Sequence, residues 1–156
     1  MSVGDPPGMD VADAIARLEV TLETVHPRLT ALSEEESRTP GVGMRWSRKE
    51  ILGHLVDSAS NNHQRFVRAQ LQPRTSFPPY VQDRWIEAQA YGERPWAELV
   101  ELWRQYNRHL LHVMRRVPPT ALANVCSVSE DEPSTLRDHM VDYVRHLQHH
   151  LGQILG

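Results

Sequence analysis

The chain of 156 residues contains one cysteine, Cys126. No internal disulfide can form, and a cytoplasmic location is the default expectation. A single cysteine between prolines reads more readily as an inert loop thiol than as a nucleophile. Long apolar runs are also missing, so no segment reaches the roughly 20 residues of a membrane-spanning helix. The opening stretch MSVGDPPGMD lacks the charged and apolar regions of a signal peptide. Basic clusters are missing too. With 17 Lys+Arg against 20 Asp+Glu and a net charge of -3, the composition argues against a nucleic-acid partner. Neither strand-type alternation nor an internal repeat stands out.

What is present is helical. Residues 1–9 read as a disordered leader and residues 10–156 as one domain with room for a core. Asp10 suits the N-cap of the first helix. Ile15, Leu18, Leu22, Val25, Leu29 and Leu32 form its apolar stripe, with a kink or short break expected near His26 because of Pro27. Ser47 and Glu50 form a capping box that opens a second helix running to about Leu71. A short helix is expected over Asp83–Ala90. Pro95 suits the first turn of a third long helix, and Thr135 with Asp138 opens the fourth. These elements predict an all-α, four-helix bundle. The crossover loop between the second and third long helices, residues 72–94, exceeds twenty residues and can traverse the bundle. That favours up-down-down-up order, with the second and fourth helices antiparallel. Tyr80, Asp83, Trp85 and Tyr91 make this loop a candidate packed lid, and not a disordered tether, over the open end of the site considered below. Trp46, Trp96 and Trp103 read as core or bundle-end residues.

The closing helix carries His146 and His150, four residues apart and therefore on one face, where both imidazoles can reach one metal ion. With nine histidines in the chain, such a pair carries little weight alone. Geometry adds to it. His146 and His150 lie about 90° to 130° to one side of the apolar stripe of their helix. His54 lies on the flank of the same rotational sense on the second helix. Flanks of like sense converge when two helices pack antiparallel, so His54 is the third candidate ligand. His139 is set aside because it sits about 10 Å and 16 Å from the pair along the axis. His149 is poorly angled against His150, although a 146/149 pairing stays open. His63 faces the opposite side of its helix, and His109 and His112 have no evident partner stripe.

The segments WSRKEILGHLVDSASNNHQRFVRA and HLQHHLGQI resemble the DinB-like (YfiT-like) superfamily, and the resemblance extends over most of the chain. It implies an up-down-down-up four-helix bundle and a divalent metal, often nickel or zinc, held by three histidines. By position these are His54, His146 and His150. It also implies a homodimer and thiol-dependent transfer or isomerisation with bacillithiol, mycothiol or glutathione.

Three neutral imidazoles leave coordination positions open to water or a small-molecule substrate. The leading expectation is a metal-dependent enzyme of the thiol S-transferase type, with a low-molecular-weight thiol as co-substrate. A metal-dependent hydrolase and a non-catalytic metal-binding dimeric bundle are the alternatives. For hydrolysis, Asp57 is the candidate catalytic base, set against a solvated or helix-supporting role. Asp142 is a candidate to orient His146, set against a surface role. Asn61, Asn62 and Arg65 are candidates for contacting a polar or anionic substrate. Arg65 could equally rest its stem on the bundle.

Overall fold

The computed structural model describes residues 8–156, so the expected leader over residues 1–9 lies, except for Gly8 and Met9, outside the described residues. Four long helices carry the fold: α1 (Val11–Ala31), α3 (Arg48–Leu71), α5 (Trp96–Arg116) and α6 (Leu136–Leu155). Two short ones join them, α2 (Glu34–Ser37) and α4 (Gln82–Gln89). Among the described residues no helix is long and apolar enough to cross a membrane. The expected capping boxes at Ser47/Glu50 and Thr135/Asp138 are present, and Asp10/Asp13 and Ser33/Glu36 form two more. Each cap contributes about 0.5–2 kcal/mol by satisfying backbone donors at a helix start. Pro95 occupies the cap position of α5, one residue before its first turn.

The direction of each helix follows from contacts between their ends. Trp96 Nε1 at the start of α5 donates to the Leu29 carbonyl at the end of α1, so these two run antiparallel. Arg48 at the start of α3 donates to the Ile154 carbonyl at the end of α6, so those two also run antiparallel. Tyr91, just before α5, packs on Gly53 near the start of α3, and Asn124, beyond α5, bonds the Ala69 carbonyl near the end of α3. Helices α3 and α5 are therefore parallel. The order is up-down-down-up. Helices α1 and α3 each pack on both α5 and α6. The shared core is built from residues such as Leu18, Leu29, Leu52, Phe66, Leu99, Trp103, Met140, Val144 and Leu147. Burial of each large apolar side chain contributes roughly 1.5–3 kcal/mol.

Two expectations are corrected here. Helix α1 runs on through Pro27 to Ala31, so of the kink or short break expected near His26 the break is absent. Pro27 is exposed in the last turns, where water can satisfy the carbonyl whose intrahelical donor it removes. The chain also contains β-structure. Strands β1 (Arg74–Phe77), β2 (Val125–Val128) and β3 (Ser134–Thr135) form a small sheet, with β1 parallel to β2 and β2 antiparallel to β3. Helices α3 and α5 are parallel, so the segments that leave them emerge at the same end and travel side by side. Strands of four, four and two residues are too short to print an alternating pattern in the sequence. Cys126 accordingly lies buried in β2 and not in a loop, and burial raises its thiol pKa.

The 72–94 segment is packed against the bundle. Ala90 adopts the left-handed conformation (φ 49°, ψ 50°) between α4 and a single 3-10 turn at Tyr91–Glu93. That bend turns the Tyr91 ring onto Gly53. A Cβ on residue 53 would stand 2.2 Å from that ring, so the mid-helix glycine is what admits it. Gly53→Ala is expected to destabilise the protein by about 1–3 kcal/mol despite alanine's better helix propensity. Urea unfolding would measure this. An unchanged or raised midpoint would show that the close approach is not constraining.

Candidate metal centre

His54 stands in the second turn of α3, fully buried, and His146 and His150 stand on successive turns of α6. Because α3 and α6 are antiparallel, the early part of one faces the late part of the other. The three rings meet there. His54 Nε2 and His146 Nε2 are 3.2 Å apart, and one ligand atom from each of the three residues lies within 4.8 Å of the others. Ring centroids are separated by 5.1, 4.8 and 4.5 Å, with interplanar angles of 73°, 79° and 77°. The rings stand edge-on to one another, with their ligand atoms grouped closely enough for one ion. Tetrahedral coordination at about 2.0–2.1 Å sets nitrogens roughly 3.3–3.4 Å apart. The His54–His146 separation fits that geometry.

The electrostatics fit as well. Burial, with the neighbouring histidines adding to it, lowers the pKa of His54 to about 3 and of His146 to about 4. Burial also lowers His150. All three imidazoles are therefore neutral at pH 7, with a ring lone pair available. His150 Nδ1 lies 2.6 Å from Gln153 Oε1. A carbonyl oxygen only accepts, so Nδ1 carries the proton and Nε2 is left bare. Gln153 belongs to the HxxxHxxQI pattern that carries the family resemblance, but the sequence alone assigns it no role. Its spacing of three residues after His150 was the available signal, and it sat inside the quoted HLQHHLGQI. The other site neighbour missed there is Trp46. Its ring lies 5.2 Å from that of His54, and its Nε1 donates to Asp83 Oδ1 at 3.0 Å. Trp96 and Trp103 are core residues as expected.

Asp57 is one turn beyond His54 and buried, which removes the solvated reading. Its Oδ1 accepts from Tyr91 Oη at 2.6 Å and from Gln89 Nε2 at 2.8 Å. Its Oδ2 is buried without a partner, as is His54 Nδ1. Burial raises the carboxyl pKa of Asp57 against the lowering effect of those two donors. Asp142 is exposed and sits 4.0 Å from Arg145. Its contact is on its own helix, and no hydrogen bond between it and His146 is found among the described residues. Asn61 and Asn62 turn their amides back to the carbonyls of Asp57 and Ser58.

The histidines set aside have other partners. His139 Nε2 lies 3.0 Å from the Cys126 carbonyl and ties α6 to β2. His149 is exposed beside His150. His63 faces away toward α5, where Nδ1 bonds Tyr106 Oη at 2.9 Å and the ring packs on His109.

Depressed histidine pKa values carry a sign. Between the ordinary value near 6.5 and the folded values near 3 to 4, the unfolded chain binds protons that the folded chain refuses. The stability of metal-free protein is therefore expected to fall as pH drops through that window. Urea unfolding at several pH values between 7 and 4 checks it, and a His54→Ala, His146→Ala variant should lose part of the slope. Equal slopes in the two proteins would contradict these burial-driven shifts.

The sequence profile of the DinB superfamily matches residues 17–154. No curated protein matches significantly. Among solved structures, YfiT from Bacillus subtilis superposes with a TM-score of 0.84 at 18% identity, covering 97% of this chain and 89% of its own. It is described as a probable metal-dependent hydrolase with an unusual four-helix bundle topology. A mycothiol-dependent maleylpyruvate isomerase superposes with a TM-score of 0.78 at 11% identity, covering 94% of this chain. This chain spans 61% of that isomerase's length. At such identities the two structures establish the fold, and the profile match establishes the family: the chain belongs to the DinB superfamily.

Proposed function

We propose that this protein is a divalent-metal-dependent enzyme of the thiol S-transferase type, with His54, His146 and His150 as the metal ligands. The observation that carries the reading is the convergence of three neutral imidazoles beside a cavity, with no fourth metal-ligating side chain grouped with them among the described residues. A closed structural site would have four protein ligands. A divalent ion in an open site supplies Lewis acidity that favours the anionic form of a thiol or a water. Nickel and zinc both accept imidazole ligands of this kind.

The protein's own groups have definable tasks in that reaction. His54 is held by complete burial and by the Trp46 ring. Gln153 fixes the tautomer of His150 so that Nε2 faces the cluster. In the transfer, the thiol gives its proton to water and its sulfur forms the bond to an electrophilic carbon. The leaving group departs with its electron pair. The fold shared with a mycothiol-dependent enzyme supports a thiol as the second substrate.

A hydrolytic reading has one observation in its favour. Asp57 is a buried carboxylate of raised pKa, one turn from His54, with Oδ2 free of any partner. A base of that kind suits proton removal from water. Asp57→Asn should then abolish hydrolysis while leaving thiol transfer within severalfold of normal.

Metal analysis of the purified protein is expected to find one divalent ion per chain. His54→Ala and His150→Ala should each lose it, with helical content kept. Gln153→Ala should bind about 10–100-fold more weakly, because the bare Nε2 is no longer enforced. Full metal content in both histidine variants would remove the site. Metal-loaded protein that turns over no electrophile with bacillithiol, mycothiol or glutathione would remove the transferase reading while leaving the metal site standing.

A further inference from the structure

A cavity of about 340 Å³ opens beside His146 and runs between α3 and α6, away from the histidine cluster and toward the sheet. Its α3 wall continues the line of His54 through Ser58 to Arg65. Eleven residues separate His54 from Arg65, roughly 16 Å along the helix axis. A groove of this size and length suits an elongated small molecule.

Its charges are arranged unevenly. Arg65 is half-buried in the wall, and among the described residues no carboxylate stands within salt-bridge distance of its guanidinium. Asp131, Glu132 and Asp142 line the same cavity, and all three are exposed. A half-buried guanidinium with no ion-pair partner is available to a carboxylate ligand, which it can bind through paired, charge-assisted hydrogen bonds. A simple anion is nevertheless disfavoured, since Asp131 and Glu132, with no ion pair among the described residues, share the cavity with Arg65, while Asp142 already lies 4.0 Å from Arg145. A simple amine satisfies the acidic residues and leaves Arg65 unpaired. Only a molecule that bears both charges complements the whole lining.

We propose that this cavity is the substrate subsite and that it selects an elongated zwitterion. A carboxylate of the substrate pairs with Arg65, an ammonium faces Asp131 and Glu132, and the reacting group lies toward His146. The inference rests on the functional reading above for the direction of the reacting end. Arg65 becomes the specificity-determining residue.

Glutathione, which carries carboxylates and a free ammonium, is the probe, with its dimethyl ester and its N-acetyl derivative as controls. Binding to the metal-loaded, full-length protein is measured by calorimetry. Glutathione should bind about tenfold or more tightly than either blocked form, the scale of one lost charge-assisted contact. Arg65→Gln should lose that preference over the ester, Arg65→Lys should restore part of it, and neither should change affinity for the ester. Asp131→Asn with Glu132→Gln should lose the preference over the N-acetyl form alone. Equal binding of all three compounds, no binding of any, or losses that ignore which charge is blocked would overturn the subsite. Charge-selective binding without turnover would keep the subsite and discard the transferase reading. Turnover with a thiol that is indifferent to Arg65→Gln would do the reverse.

Discussion

Helices α3 and α6 meet along their apolar stripes in opposite directions, and the rest of the molecule is arranged around that contact. The meeting places the second turn of α3 against the later turns of α6. Had the two helices run parallel, His54 would lie on the far side from His146 and His150. The antiparallel pairing depends in turn on the long connection from α3 to α5, which returns the chain to its starting end before α5 begins. A short loop there would have forced simple alternation, with α3 and α6 parallel. The same connection explains the small sheet, because parallel α3 and α5 release their following segments side by side at one end.

Much of this was legible in the sequence. The capping boxes at Ser47 and Thr135 mark helix starts through local hydrogen bonding, which depends on three or four consecutive residues. The stripe on α1 and the azimuths of His54, His146 and His150 follow from helical periodicity. The superfamily resemblance pointed to the same fold and is now matched over residues 17–154. What was not legible depends on tertiary contact. Strands of two to four residues carry no period of their own. Pro27 does not break α1 because its position is exposed, and exposure is set by which face packs. For Asp57 the sequence left a catalytic base and a solvated or helix-supporting carboxylate both open, because no local pattern reveals that Tyr91, 34 residues on, lies across Gly53 and donates to it. Trp46 read as a generic bundle-end aromatic for the same reason.

The histidine cluster sits where a well-packed core would not ordinarily place three polar rings. His54 has no exposed surface, and its Nδ1 has no partner. Burial keeps the rings neutral, which is unfavourable for folding at acid pH and favourable for binding a cation. The surrounding structure holds them in place against that cost. Gln153 fixes one ring, Trp46 covers another, and the Asp57–Tyr91–Gln89 network locks the 89–91 segment onto α3 next to the site. The cavity then extends from His146 toward Arg65, along the wall of α3.

The central claim is that His54, His146 and His150 form one open metal site. X-ray absorption spectroscopy of the metal-loaded protein tests it most directly, before and after a thiol is added. The account predicts three imidazole nitrogens at about 2.0–2.1 Å with the remaining positions filled by exchangeable light atoms, and a sulfur scatterer when the thiol is present. Fewer than three imidazoles, or a fourth protein ligand that the thiol does not displace, would contradict it.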